Sequence, residues 1–218
     1  MNQMTNAPAA AGGSPGREHA PVEFYFDFSS PYGFLAAQKI GAIALRHRRA
    51  VDWTPILLGV IFKKTGSQPL TEIPLKGEYA KRDFERSARF HGLPRFRLPS
   101  RFPVPTQVPA RLITWLKDAS PGLVPAATLA LYRAYFEDDI DISVPEHALA
   151  AAAGAGVDRA EAQAAIESAQ VKDALRAAVD RAIARGVFGS PFIIVEGEPF
   201  WGLDRLEHVE RWLEKGGF

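Results

Sequence analysis

Val22-Glu23-Phe24-Tyr25-Phe26-Asp27-Phe28-Ser29-Ser30-Pro31 is the stretch on which the reading of the fold turns. Four aromatic residues and a valine within seven positions make a short, β-prone run. Ser29-Ser30-Pro31 then has the form of a helix start, with a serine to accept a hydrogen bond from an orphan N–H and a proline whose fixed φ suits the first turn. The helix is expected to run to about Arg46. Val51 to Leu58 (VDWTPILL) reads as a second strand, so the region is β-α-β with a helical crossover, which implies parallel strands.

The far end of the chain supplies complementary pieces. Pro191-Phe192-Ile193-Ile194-Val195 reads as a strand, Glu196-Gly197-Glu198 as a turn and Pro199-Phe200-Trp201 as a second strand, together a hairpin. Asp204-Arg205-Leu206-Glu207 has the form of a capping box opening a last helix, with Leu206, Val209 and Leu213 on one face. A β-α-β unit at one end and β-β-α at the other is the outline of a thioredoxin-like fold.

Between them the period changes. From Thr71 to Arg185 apolar residues recur at helical spacing, most clearly at Val171, Leu175, Ala178, Val179, Ala182 and Ile183, and alanine-rich stretches favour close-packed helices. The expected fold class is therefore α/β, a thioredoxin-like domain over residues 21–70 and 186–218 with an α-helical insertion over 71–185. The proline-rich segment Pro94 to Pro109 cannot form one continuous helix and is expected to be a loop near the cleft. Residues 1–20, rich in Ala, Gly and Pro without apolar periodicity, read as a disordered tail. The tail holds a G-x-S-x-G match at Gly12 to Gly16, but no strand precedes it and it carries no catalytic meaning.

Composition narrows the chemistry. With 218 residues, 47% of them hydrophobic, the chain is long enough to bury a substantial core. It contains no cysteine, which excludes disulfides, zinc–thiolate and iron–sulfur ligation and any catalytic thiol of its own. Lys plus Arg total 26 against 25 Asp plus Glu, so no global cationic field recruits nucleic acid. Arg46-His47-Arg48-Arg49 is expected to answer the negative end of the first helix. No apolar run reaches the ~20 residues that span a bilayer. No basic n-region with an apolar h-region opens the chain, and a cytoplasmic location is expected.

In a thioredoxin-like fold the reactive position is the N-terminus of the first helix, where unpaired N–H groups and the helix dipole stabilise an anion. Ser30-Pro31-Tyr32-Gly33 occupies that position here. Two readings stay open for Ser29 and Ser30: a plain N-cap, or a hydroxyl that donates to a thiolate brought by a ligand. Gly186-Val187-Phe188-Gly189-Ser190-Pro191 precedes a strand, where a cis-proline would expose the backbone of Ser190 to an extended ligand; sequence does not fix the isomer.

These segments, together with Leu57 to Lys63, Lys76 to Tyr79 and Phe200 to Leu206, resemble the 2-hydroxychromene-2-carboxylate isomerases and their relatives, the kappa-class glutathione transferases. The resemblance runs from Val22 to Leu213 and implies a DsbA-like fold and a glutathione-dependent enzyme of the aromatic-catabolism type. It implies that Ser30 binds the glutathione sulfur, that Lys76 faces the glycyl end, that Ser190 before Pro191 pairs with the cysteinyl unit, and that Leu203 and Asp204 hold the γ-glutamyl group. It also implies a small aromatic substrate, and its members are commonly homodimers. Ser67 and Leu203 stand where the family usually has polar side chains, so two contacts would be lost or taken over by backbone N–H groups. Gly33 replaces a serine, which is expected to loosen the first turn.

The activity that follows is isomerisation of 2-hydroxychromene-2-carboxylate or a similar ring-cleavage intermediate. The alternatives are a kappa-like transferase or peroxidase and a non-catalytic thioredoxin-like binding module. Asp204 has a competing reading as a helix cap. His47, His91 and His147 read as surface or capping residues, and no spacing supports a metal site. Lys63 and Lys64 are either solvated surface residues or attractors of an acidic substrate. Substrate contacts are expected from the insertion and from Pro99 to Gln107.

Overall fold

The computed structural model describes residues 20–218; apart from Ala20, the expected tail and its Gly12–Gly16 match lie outside them. Strand β1 (Val22–Phe26) pairs in parallel with β2 (Val51–Pro55) through the crossover helix α1 (Pro31–Arg46). β1 also pairs antiparallel with β3 (Phe192–Val195), and β3 with β4 (Glu198–Trp201), giving the order β2-β1-β3-β4. The chain's two ends thus meet on adjacent strands.

Alternation sorts the side chains of the sheet. Val22, Phe24, Phe26, Ile193 and Val195 face the main core with α1 and the last helix, α9 (Leu206–Lys215). Tyr25, Phe192 and Ile194 face Ala182 of α8 (Ala169–Ala184) and Ile61 of α2 (Leu58–Thr65). The main core is aromatic: the rings of Phe24, Phe26 and Phe28 continue into Tyr132, whose centroid lies 4.8 Å from that of Phe28. Burying such rings and pairing them edge to face or offset contributes both area and geometry.

Six helices lie between the halves: α3 (Lys76–Phe90), α4 (Gln107–Ala119), α5 (Val124–Phe136), α6 (Pro145–Ala153), α7 (Arg159–Glu167) and α8. In α8 the expected face is buried at Val171, Leu175, Val179 and Ala182. Among the described residues no helix is long and apolar enough to cross a membrane.

Four local expectations are corrected. The second strand stops at Pro55, and Leu58 begins α2; the apolar run Ile56-Leu57-Leu58 continues the strand pattern in sequence past the strand's end. Asp204 opens no capping box: it sits inside a 3-10 turn (Leu203–Arg205), no side chain caps α9, and the Asp204 carboxylate pairs with Arg205 at 3.0 Å. The proline-rich loop ends three residues early, because Pro109 lies in the first turn of α4, where a missing N–H costs nothing. Arg46 and Arg49 do not face the helix end alone; they pair with Glu210 and Glu196.

Candidate functional site

Ser30 is the N-cap of α1. Its backbone is extended, and its Oγ accepts from the N–H of Gly33 at 3.0 Å while donating to the carbonyl of Ser190 at 2.8 Å. The peptide bond between Ser190 and Pro191 is cis. Ser190 closes the circuit, since its Oγ accepts from the N–H of Asp27 at 2.9 Å. Helix start and strand start are therefore laced together by hydrogen bonds across 160 residues of sequence.

Ser29 does a different job. Its N–H and its hydroxyl both go to Asp27 Oδ1, at 2.7 and 2.8 Å, so it turns the chain rather than capping the helix. Asp27 is buried, and its carboxylate also accepts from Thr106 Oγ1 at 3.1 Å and from the N–H of Leu58 at 2.6 Å. Burial pushes its pKa up, and the four donors oppose that shift. Tyr132 supports the turn from below by donating to the Asp27 carbonyl at 2.9 Å. Asp27, Thr106 and Tyr132 were not singled out in sequence; the one available signal was a carboxylate set among four aromatic residues that should all be buried.

Gly33 does not loosen the first turn. A Cβ there would lie 2.7 Å from Tyr132 Oη and 2.8 Å from Ser190 Oγ, so no side chain fits and the turn is tight because the residue is glycine. Gly189 meets the same condition, since a Cβ would run into the Trp201 indole.

Of these groups, Ser29, Ser30, Gly189 and Ser190 line a cleft of about 1420 Å³. One wall carries Ser190, Pro191, Leu203, Asp204 and Arg205; the other carries Tyr32, Asp83, Phe84, Phe90, His91, Phe102 and Pro103; Ser67 follows α2 and Lys76 opens α3. All six candidate residues, Ser30, Lys76, Ser190, Pro191, Leu203 and Asp204, line this one cleft. The Leu203 side chain packs in the main core, so that residue can serve a ligand only through its backbone. Lys76 is the first residue of α3, where the helix dipole adds to its charge.

His91 is a partial correction. It stands at the C-cap of α3, but it also lines the cleft, and burial together with Lys39 lowers its pKa. His47 lies 3.9 Å from Glu210, and His147 contacts the Asp141 carbonyl, both away from the cleft. Lys63 and Lys64 are exposed on α2 and do not line it. Of the loop Pro99 to Gln107, Phe102 and Pro103 reach the cleft, while Thr106 turns inward to Asp27.

Residues 21–214 match the family model described as a DSBA-like thioredoxin domain. The chain is 28% identical to a 2-hydroxychromene-2-carboxylate isomerase of Sphingobium xenophagum over 194 residues, covering 88% of this chain and 97% of that one. It is also 28% identical to human glutathione S-transferase kappa 1 over 213 residues, covering 88% of this chain and 92% of the relative. Its fold is similar to a solved 2-hydroxychromene-2-carboxylate isomerase, with a TM-score of 0.79 at 24% identity over 89% of this chain and 94% of that one.

Proposed function

The chain belongs to the DSBA-like thioredoxin domain family, and from that premise we propose that it is an enzyme with a borrowed thiol, a glutathione-dependent isomerase acting on 2-hydroxychromene-2-carboxylate or a similar aromatic ring-cleavage intermediate. One observation carries the reading. In a chain without cysteine, the hydroxyl of Ser30 caps a 16-residue helix at the position where such folds act on sulfur, 2.8 Å from a strand-start carbonyl. The names of the isomerase and kappa-transferase relatives support it.

The residues suit the tripeptide. The donor of Ser30 and the acceptor of Ser190 now satisfy each other, so a thiolate could take the first and a cysteinyl N–H the second without leaving either unpaired. Lys76 would face the glycyl carboxylate, and the backbone at Leu203 with the Asp204 carboxylate would face the γ-glutamyl end. When bound, glutathione supplies a thiolate that adds to the double bond of an unsaturated pyruvate, lets the bond rotate, and leaves unchanged. The chain's part is to hold sulfur at the helix start, where unpaired N–H groups, the dipole and the Ser30 hydroxyl lower a thiol pKa of ~8.5 toward neutrality.

A second reading, a kappa-like transferase, is favoured by the charge inventory. Lys76, Arg205 and His91 are the basic residues lining the cleft; Arg205 is paired with Asp204, and His91 is held below its usual pKa. Among the described residues, Lys76 is the lining cation with no ion-pair partner, to be shared by two glutathione carboxylates and any substrate carboxylate, which favours an uncharged electrophile. Incubation with glutathione and an unsaturated aromatic pyruvate separates the readings by mass spectrometry. Isomerisation without mass gain at catalytic glutathione supports the isomerase, and a conjugate formed as glutathione is consumed supports the transferase. No binding at millimolar glutathione would sink both and leave a binding module.

A further inference from the structure

Tyr32 stands in the first turn of α1, two residues beyond Ser30, and Asp83 stands opposite on α3; both line the cleft. Tyr32 Oη donates to Asp83 Oδ2 at 2.5 Å, and its ring meets Phe84 edge-on with centroids 5.0 Å apart. Ring and hydroxyl are thus both held. Asp83 also accepts from Arg86, which offsets its charge, and more loosely from Ser87 Oγ at 3.4 Å. The hydroxyls of Tyr32 and Ser87 and the guanidinium of Arg86 thus converge on Asp83.

A phenol has one O–H to give and two lone pairs to receive. With its proton committed to Asp83, Tyr32 presents the cleft with an acceptor, and among the described residues none donates to its oxygen. Burial and the Asp83 charge raise the Tyr32 pKa, so that the hydroxyl keeps its proton. The surrounding Phe84, Phe90, Phe102 and Pro103 suit an aromatic ring, with Ser87 and His91 as the further polar side chains on this side.

We infer that Tyr32, with Asp83 as its positioning residue, selects electrophiles whose ring carries a hydroxyl. This rests on the glutathione-dependent reading above and names the substrate class of the same site. A ring hydroxyl donates to the fixed Tyr32 oxygen, whereas the corresponding methyl ether brings oxygen against oxygen and leaves a desolvated acceptor unpaired.

The test is calorimetric and needs no turnover. Glutathione and the ortho, meta and para pairs of S-(hydroxybenzyl)glutathione and S-(methoxybenzyl)glutathione are titrated into the wild type, Tyr32→Phe and Asp83→Asn. In at least one positional series the hydroxy conjugate should bind the wild type on the order of tenfold more tightly than its ether. Tyr32→Phe should bring that ratio to about one while still binding glutathione. Asp83→Asn should narrow it, because a carboxamide can donate into the Tyr32 lone pair. Equal binding of every pair by a wild type that holds glutathione would overturn this inference alone, as would a preference surviving in Tyr32→Phe. An unchanged ratio in Asp83→Asn would remove Asp83 from it, and failure of glutathione itself to bind would take down the functional reading and this inference together.

Discussion

Asp27 carries a carboxylate into the aromatic interior and spends it on four donors drawn from its own turn, from the start of α2 and from the start of α4. Because burial raises its pKa, the folded protein holds the Asp27 proton more tightly than the unfolded chain does. That contribution to stability is complete below the unfolded carboxyl value of ~3.9 and is lost as pH rises through the higher folded value. In urea titrations at a series of pH values, the stability of the wild type relative to Asp27→Asn should therefore be greatest in acid and decline as pH rises. A difference that grows with pH would mean that the donors outweigh burial. Gly33→Ala forces a methyl group against Tyr132 Oη and Ser190 Oγ and should cost about 1–3 kcal/mol in the same assay. An unchanged midpoint would show that this junction yields. At this scale Ser30 was legible from its place before Pro31, but its distinction from Ser29 came from the family resemblance and not from the local residues. That distinction is made by Asp27, whose partners Leu58 and Thr106 lie 31 and 79 residues away.

Among the elements, α3 begins in an unusual way. Leu75 has a φ of 67° and a ψ of −45°, the N–H of Lys76 returns to the Pro74 carbonyl at 2.8 Å, and the Leu75 side chain is 95% exposed. This is a strained γ-turn that sets the direction in which Lys76 enters the helix. Leu75→Gly removes the Cβ penalty and no packing, and the gain should exceed the added freedom of the unfolded chain by about 1 kcal/mol. A lower denaturation midpoint would contradict the strain. Elements were legible where their period was long and clean, as in α1 and α8. Leu58 to Thr65 escaped because an eight-residue helix spans little more than two turns, too short for its period to stand out. The 3-10 turn at Leu203–Arg205 escaped because D-x-x-E fits a capping box, while the bond that forms it depends on where Gly202 leaves β4.

For the molecule as a whole, topology builds the site. Placing β1 beside β3 puts the start of α1 against the Ser190-Pro191 peptide, and the turn after β4 then returns Leu203 and Asp204 to the same cleft. The strand and helix order was readable from the two ends of the chain. That the insertion and the Pro99 to Gln107 loop would face the cleft was expected, but which aromatic side chains they present was not, because that depends on how the middle helices pack on α1. The proposed thiolate chemistry at the start of α1 rests on the pairing of Ser30 with that cleft in a chain that has no cysteine. The most direct measurement is the pKa of the glutathione thiol in complex, followed by its ultraviolet thiolate absorbance across pH in the wild type, Ser30→Ala and Ser29→Ala. A value at least about one unit below the free ~8.5 is expected in the wild type and Ser29→Ala, with a rise toward the free value in Ser30→Ala. An unshifted thiol in the wild type, or equal values in the two variants, would contradict it.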